Sequence, residues 1–176
     1  MADEIVSLAS RLIPLPTEPQ RIIHGDLKIS NLLFSEDLTE ALALLDLDTM
    51  ARSTLPIELG DALRSWCNPG GEDVGAVTFE AEYFRAALEG YAKEARGFLT
   101  QDERDALVLG ALTISLELSA RFCADALNES YFGWDKTRFA SRSEHNLVRA
   151  QSQLLLARSI DDQRGVLESL VTQSFT

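Results

Sequence analysis

The spacing of hydrophobic and polar residues divides the chain into a short mixed N-terminal part and a long helical part. From Pro56 onward, apolar residues recur at intervals of three and four, the period of an α-helix with one buried face. A stripe from Phe79 to Tyr91 predicts one helix, with Thr78 as its N-cap. Thr100 and Glu103 have the spacing of a capping box and predict a long apolar helix that ends near Leu127.

Two further helices complete the predicted helical part. Leu147, Ala150 and Leu154 lie on one face of an amphipathic segment, and the tail from Asp162 predicts a last helix. Helices joined by short connections pack their apolar stripes together. This part of the chain is therefore predicted to be a helical bundle.

The N-terminal part has a different pattern. Residues 3–13 predict a short helix, and three prolines between residues 14 and 19 predict an extended connector. Short apolar runs separated by polar turns then predict small strands, at Arg21–His24, Leu32–Ser35 and Leu42–Asp46. The predicted fold is mainly α with a small β-hairpin element. We divide the chain into residues 1–20 (helix and connector), 21–160 (the strands and the helical bundle) and 161–176 (helical tail).

Composition narrows the classes of partner. The 176 residues are 45% hydrophobic, enough for a single compact domain with a buried core. Their 28 acidic residues outnumber 16 basic ones and give a net charge of -12. Such a surface repels phosphate backbones and anionic lipid headgroups. We expect no nucleic-acid partner and no membrane partner.

Cysteine usage and the N-terminal residues predict a cytoplasmic location. Cys67 and Cys123 share no metal-binding spacing with the two histidines, so we expect ordinary thiols. The first residues lack the basic and then apolar pattern of a signal peptide. The most apolar stretch, Ala106–Leu116, is shorter than the roughly 20 residues that cross a bilayer and predicts a buried helix.

Candidate chemistry concentrates in two short segments, His24-Gly25-Asp26-Leu27-Lys28-Ile29-Ser30-Asn31 and Leu44-Leu45-Asp46-Leu47-Asp48. A hairpin between them would bring Asp26, Asn31 and Asp46 to one end. Carboxylate and amide oxygens suit a hard cation such as Mg²⁺, and Lys28 adds a positive charge. Phosphoryl transfer needs these parts. Taken singly, each motif is equally compatible with a tight turn or a solvated strand end.

Together, in this order and spacing, the two segments resemble the catalytic loop and metal-binding aspartate of the aminoglycoside phosphotransferase and choline kinase family, which has a protein-kinase-like fold. The resemblance implies ATP and Mg²⁺ as cofactors. It implies that Asp26 is the catalytic base, that Lys28 contacts the γ-phosphate, and that Asn31 and Asp46 bind Mg²⁺. His24 would support the loop. Asp48 is a further candidate ligand of the metal.

We call the segment around Asp46 and Asp48 the metal loop. The helix that follows it carries two more candidate residues. Asp61 resembles the family aspartate that ties this helix back to the catalytic loop, although an exposed carboxylate near the helix N-terminus is an equal alternative. Arg64 is either its salt-bridge partner or a contact to an anionic ligand. Only Met50–Leu55 separates the metal loop from this helix, too short for an activation segment. We therefore expect a small-molecule substrate, not a protein.

The C-terminal half suggests the acceptor. Tyr131-Phe132-Gly133 and the segment Ser143–Arg149 resemble the end of one branch of the family, the N-acetylhexosamine 1-kinases. The resemblance implies a sugar or amino sugar acceptor, with His145 and Arg149 near it. Capping or packing is the alternative for the histidine. Trp66 and Trp134 are either core residues or platforms for a sugar.

The resemblance also predicts what is missing. In the family a β-rich N-terminal lobe carries the glycine-containing loop and the lysine that hold ATP, and no such pattern precedes His24. We expect the C-terminal catalytic lobe alone, with a separate N-terminal lobe or a second copy as partner. The alternative function is a non-catalytic interaction or regulatory domain, or an inactive fragment. A metal-dependent hydrolase is a weaker third hypothesis.

Overall fold

The computed structural model describes residues 1–73 and 77–176. This part of the chain forms seven α-helices and four short strands. The helices are α1 (Ala2–Ala9), α2 (Leu55–Trp66), α3 (Ala81–Ala95), α4 (Gln101–Asp105), α5 (Leu107–Asn128), α6 (Arg142–Asp162) and α7 (Arg164–Phe175). The strands are β1 (Arg21–Ile23), β2 (Leu32–Phe34), β3 (Ala41–Leu44) and β4 (Ala51–Ser53). The structure is mostly helical, as the pattern predicted, and has two small sheets.

The strands form two antiparallel pairs. β2 pairs with β3, with Leu32 opposite Leu44, which is the predicted hairpin. β1 pairs with β4 instead, with Arg21 opposite Ser53. The sequence analysis missed β4 because Ala-Arg-Ser contains neither a β-branched nor an aromatic residue. Its pairing with a strand thirty residues earlier in the chain makes it a strand.

The helical core centres on the crossing of α2 and α5. A Cβ added at Gly110 would overlap the carbonyl oxygen of Pro56, and one at Gly60 would lie 2.6 Å from the Gly110 carbonyl carbon. Glycine at both positions lets the two backbones touch. One buried cluster extends from this crossing to both ends of the chain and includes Ile5 of α1 and Leu167 of α7.

Three predicted helix boundaries were wrong. Thr78 does not cap α3, which begins after Glu80, because the preceding segment is bound to other elements. The Phe79 N–H donates to Ser159 Oγ over 3.0 Å. The N-terminal helix ends at Ala9, not at residue 13. The capping box at Thr100 forms, but it opens the short helix α4.

Among residues 1–73 and 77–176, one helix is long and apolar enough to cross a membrane, by length and composition alone. This is α5, and it runs past the apolar stretch that the sequence analysis limited to Leu116. Within its most apolar window, 56% is buried inside the protein. A buried core helix passes the same test, so its composition is explained by its central position between α2 and α6.

Candidate active site

The segment after β1 folds into a compact loop around Asp26. The amide Nδ2 of Asn31 donates to the Asp26 main-chain oxygen over 2.9 Å and to Asp26 Oδ2 over 3.0 Å. Lys28 Nζ lies 2.6 Å from the same Oδ2. Since one carboxylate oxygen receives both groups, Asp26 is held in one orientation. The structure brings together three residues that the sequence analysis had assigned to one site.

Asp46 lies at the same end of the hairpin. The Leu45 N–H donates to the Asn31 carbonyl oxygen over 2.9 Å, so Asn31 and Asp46 lie at the same end of β2 and β3. Asp46 has a left-handed backbone with φ 63°, a conformation that aspartate tolerates better than most residues. The pKa of Lys28 is raised by its hydrogen bond to Asp26 and by the charges of Asp26, Asp46 and Glu72.

His24 joins the two loops. Its Nδ1 accepts the Asp26 N–H over 3.3 Å, which leaves the proton on Nε2. Nε2 lies 2.9 Å from the Leu45 carbonyl oxygen, the residue before Asp46, and donates to it. A side chain that contacts the residue before Asp46 and the backbone of Asp26 fixes their spacing. This geometry agrees with the supporting role expected for the histidine.

The residue that ties α2 to the catalytic loop is Glu58, not Asp61. The Glu58 carboxylate is buried and accepts the N–H groups of His24 and Gly25, each over 2.8 Å. Asp61 lies one helical turn further along α2 and binds Arg64. Of the two roles that the sequence analysis left open for Asp61, the tie to the catalytic loop is made by Glu58 instead. Glu58 carried no signal of its own, because an acidic residue in the first turn of a helix is common.

Gly25 is required by the turn that precedes Asp26. Its φ is +81°, and a Cβ there would lie 2.7 Å from the Thr49 carbonyl oxygen. Thr49 also donates its hydroxyl to the His24 carbonyl oxygen over 2.7 Å. The turn at Gly25 therefore packs directly against Thr49, and a larger residue at position 25 would move the two apart.

Trp66 also supports the catalytic loop. Its indole N–H donates to the Leu27 carbonyl oxygen over 2.6 Å, between Asp26 and Lys28 in sequence. The side chain packs against the helical core. This tryptophan is therefore a core residue with one hydrogen bond to the loop, and not a free platform for a sugar. Sequence reasoning had left the two roles open.

A cavity of about 440 Å³ opens beside Asp26. The catalytic loop forms one side of it, and α2 and α5 form the walls. Phe132 and Gly133, in the loop after α5, close it together with Arg149 of α6. Several of these lining residues were candidates from sequence, whereas those of α5 were missed. The α5 residues that line the cavity are Leu118, Arg121 and Phe122.

The profile of the phosphotransferase enzyme family (APH) matches residues 2–97. The matched span is more than half of the chain. It contains the loop around Asp26, the metal loop with Asp46, and all of α2. The chain belongs to this family. The cavity walls contributed by α5 and α6 lie beyond the span, so the match covers the loops around Asp26 and Asp46 and only part of the cavity.

Arg64 forms a buried ion cluster in the wall of this cavity. Its Nη2 lies 2.8 Å from Asp61 Oδ1, and its Nη1 lies 2.5 Å from Glu72 Oε1. Burial acts to lower the pKa of the guanidinium, but the two carboxylates outweigh it and the pKa is raised. Of the two roles left open for Arg64, the structure shows the ion pair. The Arg64 side chain in this pair is buried.

His145 and Arg149 meet at Asp73. His145 is fully buried and stacks on Phe139, with ring centroids 4.0 Å apart. Its Nε2 lies 2.9 Å from Asp73 Oδ1, close but not aligned as a hydrogen bond. Arg149 Nε donates to the same oxygen over 2.9 Å. The histidine is therefore a packing residue, while Arg149 reaches the cavity.

The site fits a magnesium ion held partly by phosphates. Because both donors of the Asn31 amide face Asp26, its Oδ1 is the atom left to bind a cation, and Asp46 supplies a carboxylate. Residues 1–73 and 77–176 contain no group of three or more His, Cys, Asp or Glu side chains arranged as a metal site. Two protein ligands suffice for Mg²⁺, which commonly takes its other ligands from water and substrate phosphates.

Proposed function

We propose that this chain is the catalytic lobe of a kinase that transfers the γ-phosphoryl group of ATP to a hydroxyl of a small molecule. The observation that carries the proposal is the position of Asp26 at the wall of the cavity, with Oδ2 fixed by Lys28 and Asn31. Its Oδ1 accepts no hydrogen bond from the described residues. That oxygen is available to an incoming hydroxyl group.

The proposed reaction uses these residues in fixed roles. Asp26 orients the acceptor hydroxyl and takes its proton as the new oxygen–phosphorus bond forms and the bond to the ADP oxygen breaks. Lys28 places positive charge beside the transferred group. Asn31 and Asp46 would hold Mg²⁺ on the phosphates. When bound, the ion would neutralise negative charge on the β- and γ-phosphates.

The proposed acceptor is a sugar or amino sugar. The cavity of about 440 Å³ lies in the range typical of small-ligand sites. Phe122 and Phe132 give it apolar surface for the C–H face of a ring, and the charged groups of α2 can bind hydroxyls. These features support a compact polar acceptor.

We propose that a second lobe or a second protein chain completes the ATP site. Large apolar side chains around the hairpin and metal loop are exposed to solvent: Ile29, Leu33, Leu42, Leu44, Leu47 and Met50. Exposed apolar clusters of this kind mark interaction surfaces. We propose that a β-rich N-terminal lobe or a second copy of the chain covers them. A cytoplasmic location is part of the same proposal.

Calorimetric titration with ATP, with and without Mg²⁺, tests the nucleotide site. We expect saturable binding that requires Mg²⁺ and is weakened at least about tenfold in Asp46→Asn, because a charged ligand is lost. The exposed Asp162→Asn is the matched control and should bind as the unchanged protein does. Binding that ignores both Mg²⁺ and Asp46→Asn would contradict the proposal and favour a non-catalytic interaction domain.

Release of ADP in the presence of sugars, measured with the partner that completes the ATP site present, tests the transfer step. Asp26→Asn should abolish transfer and keep most of the Mg²⁺-dependent ATP binding, since it removes the base and leaves the metal ligands. Transfer that persists in Asp26→Asn would exclude the proposed base.

A further inference from the structure

The cavity beside Asp26 is lined by three arginines that differ in their contacts. Arg64 is bound by Asp61 and Glu72, as described above. Arg149 donates to Asp73 over 2.9 Å and to the Gly133 carbonyl oxygen over 2.7 Å.

The third arginine, Arg121, has a different environment. It donates no hydrogen bond to any residue in 1–73 or 77–176. Its carboxylate neighbour there is Glu117, one turn earlier on α5, at 3.5 Å and half exposed. That distance is too long for a strong hydrogen bond. Arg121 therefore brings an unused set of N–H donors to the cavity.

Aromatic rings hold the Arg121 guanidinium in place. Its central carbon lies 5.4 Å from the Phe132 ring centroid and 5.6 Å from that of Tyr131. A guanidinium against aromatic rings can keep N–H groups free at its edge, the geometry that receives a carboxylate or phosphate in two parallel bonds. Arg121 also lines two neighbouring depressions, so it lies where the cavity opens to solvent.

The loop that carries those rings is itself fixed. Asp125 accepts the N–H groups of Ser130, Tyr131 and Phe132 over 2.8–2.9 Å. Asn146 of α6 donates to the same carboxylate over 2.9 Å. The aromatic platform under Arg121 is therefore in place before any ligand binds, which lowers the entropic cost of using it.

Each carboxylate of the cavity already has a cationic side chain beside it, and the open Oδ1 of Asp26 is the oxygen that the acceptor hydroxyl uses. Asp26 receives Lys28, while Asp61 and Glu72 share Arg64. An ammonium group on the acceptor would have to compete with these cations, whereas an anionic group would meet donors that are free. Hydrogen-bonding capacity in this cavity thus favours an anion over a cation.

We infer that Arg121 is a binding site for an anionic group, a carboxylate or a phosphate, on the acceptor. The identity of the acceptor rests on the proposed function. The preferred substrate class is an acidic sugar derivative, whose ring lies against Phe122 and Phe132 and whose charged group meets Arg121. Arg121 is then a residue that determines specificity.

Calorimetric titration of the full chain with a matched set of hexoses tests this inference. The probes are glucose, glucosamine, glucuronate, glucose 6-phosphate and inorganic phosphate. We expect glucuronate or glucose 6-phosphate to bind at least about tenfold more tightly than glucose, the size of effect expected for a charge-assisted hydrogen bond. Arg121→Gln should remove that preference.

Arg85→Gln is the matched control. Arg85 lies on α3, away from the cavity, and has a similar glutamate neighbour, Glu89, at 3.6 Å, besides Glu82, to which it donates a hydrogen bond. Its side chain is 48% exposed, against 44% for Arg121. The control variant should keep the full preference for the acidic sugar.

Several outcomes would overturn the inference. They are equal affinity for glucose and both acidic sugars, a preference for glucosamine, a preference that survives Arg121→Gln, and no binding by any probe. If inorganic phosphate binds as tightly as glucose 6-phosphate, the site recognises free phosphate and not an anionic group of the acceptor.

The experiments distinguish failure of the anion site at Arg121 from failure of the proposed kinase function. Binding of an acidic sugar that depends on Arg121, without phosphoryl transfer when the partner that completes the ATP site is present, would keep the anion site and exclude the kinase. Transfer to a neutral sugar at equal affinity would keep the kinase and exclude the role of Arg121.

Discussion

The main-chain N–H of His24 donates to the Glu58 carboxylate over 2.8 Å, across 34 positions of sequence. The other oxygen of the carboxylate receives the N–H of Gly25 over the same distance. This buried contact fixes the turn that leads into Asp26 to the helix behind it. The candidate base therefore depends on a residue that does not touch the cavity at all.

Replacing Glu58 by glutamine should destabilise the protein. Glutamine keeps one acceptor oxygen and turns an NH₂ group toward the second N–H, which leaves a buried donor without a partner. We expect the free energy of unfolding to fall by about 1–3 kcal/mol, measured by urea denaturation. Glu82→Gln, on the exposed face of α3, is the control and should change stability by less than about 0.5 kcal/mol. Equal effects in the two variants would show that the contact contributes nothing.

Gly25→Ala should be destabilising, and Gly90→Ala should not. Alanine at position 25 has to adopt φ +81° and meets the Thr49 carbonyl oxygen at 2.7 Å. We expect a loss of about 1–3 kcal/mol in the free energy of unfolding. Gly90 lies within α3, and a Cβ there meets nothing within 4 Å. Gly90→Ala should therefore stabilise the protein by about 0.5–1 kcal/mol. Thermal unfolding measures the stability of both variants. Unchanged stability in Gly25→Ala would show that alanine at position 25 is not strained.

Asp125 should make stability depend on pH in the acid range. Burial acts to raise the pKa of this carboxyl, but the N–H groups of Phe132, Ser130 and Tyr131 outweigh it and lower the pKa to about 2 from an ordinary 3.8. Because the folded pKa is the lower one, the stabilisation is complete above the unfolded pKa and is lost as pH falls toward 2.

Urea denaturation of the unchanged protein and Asp125→Asn, from pH 6 to pH 2, measures this dependence. We expect the variant to be less stable by a constant amount above pH 5 and the difference to shrink below about pH 4. Asp162→Asn, exposed at the end of α6, should show no such convergence. A difference that stays constant down to pH 2 would mean that Asp125 does not titrate as described.

The two thiols should differ in reactivity. Cys67 is buried in the helical core, and burial raises its pKa to about 12, so almost none of it is thiolate near neutral pH. Cys123 is partly exposed on α5. An aromatic disulfide reagent at pH 8 should modify one thiol in the native protein and both after unfolding. Cys123→Ser should remove the native reaction, and fast modification that remains in it would contradict the burial of Cys67.

The catalytic loops could be predicted because their geometry is local. Asp26, Lys28 and Asn31 lie within six residues, and one short hairpin brings Asp46 to the same end. Turn and hairpin rules are enough to bring such residues together. The mainly helical fold was likewise predicted from apolar spacing, since a helix with one buried face records that face in its own sequence.

The sequence could not show which carboxylate of α2 binds the catalytic loop, because that depends on how the helix is rotated about its axis. Glu58 and Asp61 lie three residues apart on α2, and either could face the loop. Which one does depends on how α2 is turned about its axis, and that is set by the close contact of Gly60 with Gly110 of α5. The contact joins residues fifty positions apart, so no local pattern contains it.

The sequence by itself determined the family, the helical character and the set of residues that carry the proposed chemistry, because each depends on neighbours along the chain. Tertiary structure alone decided which carboxylate holds the loop, which arginine is left with free donors, and how α5 and α6 close the cavity. Those features depend on packing between helices far apart in sequence. The position of Arg121 beside the site of Asp26 therefore becomes visible only when α5 is packed against α2.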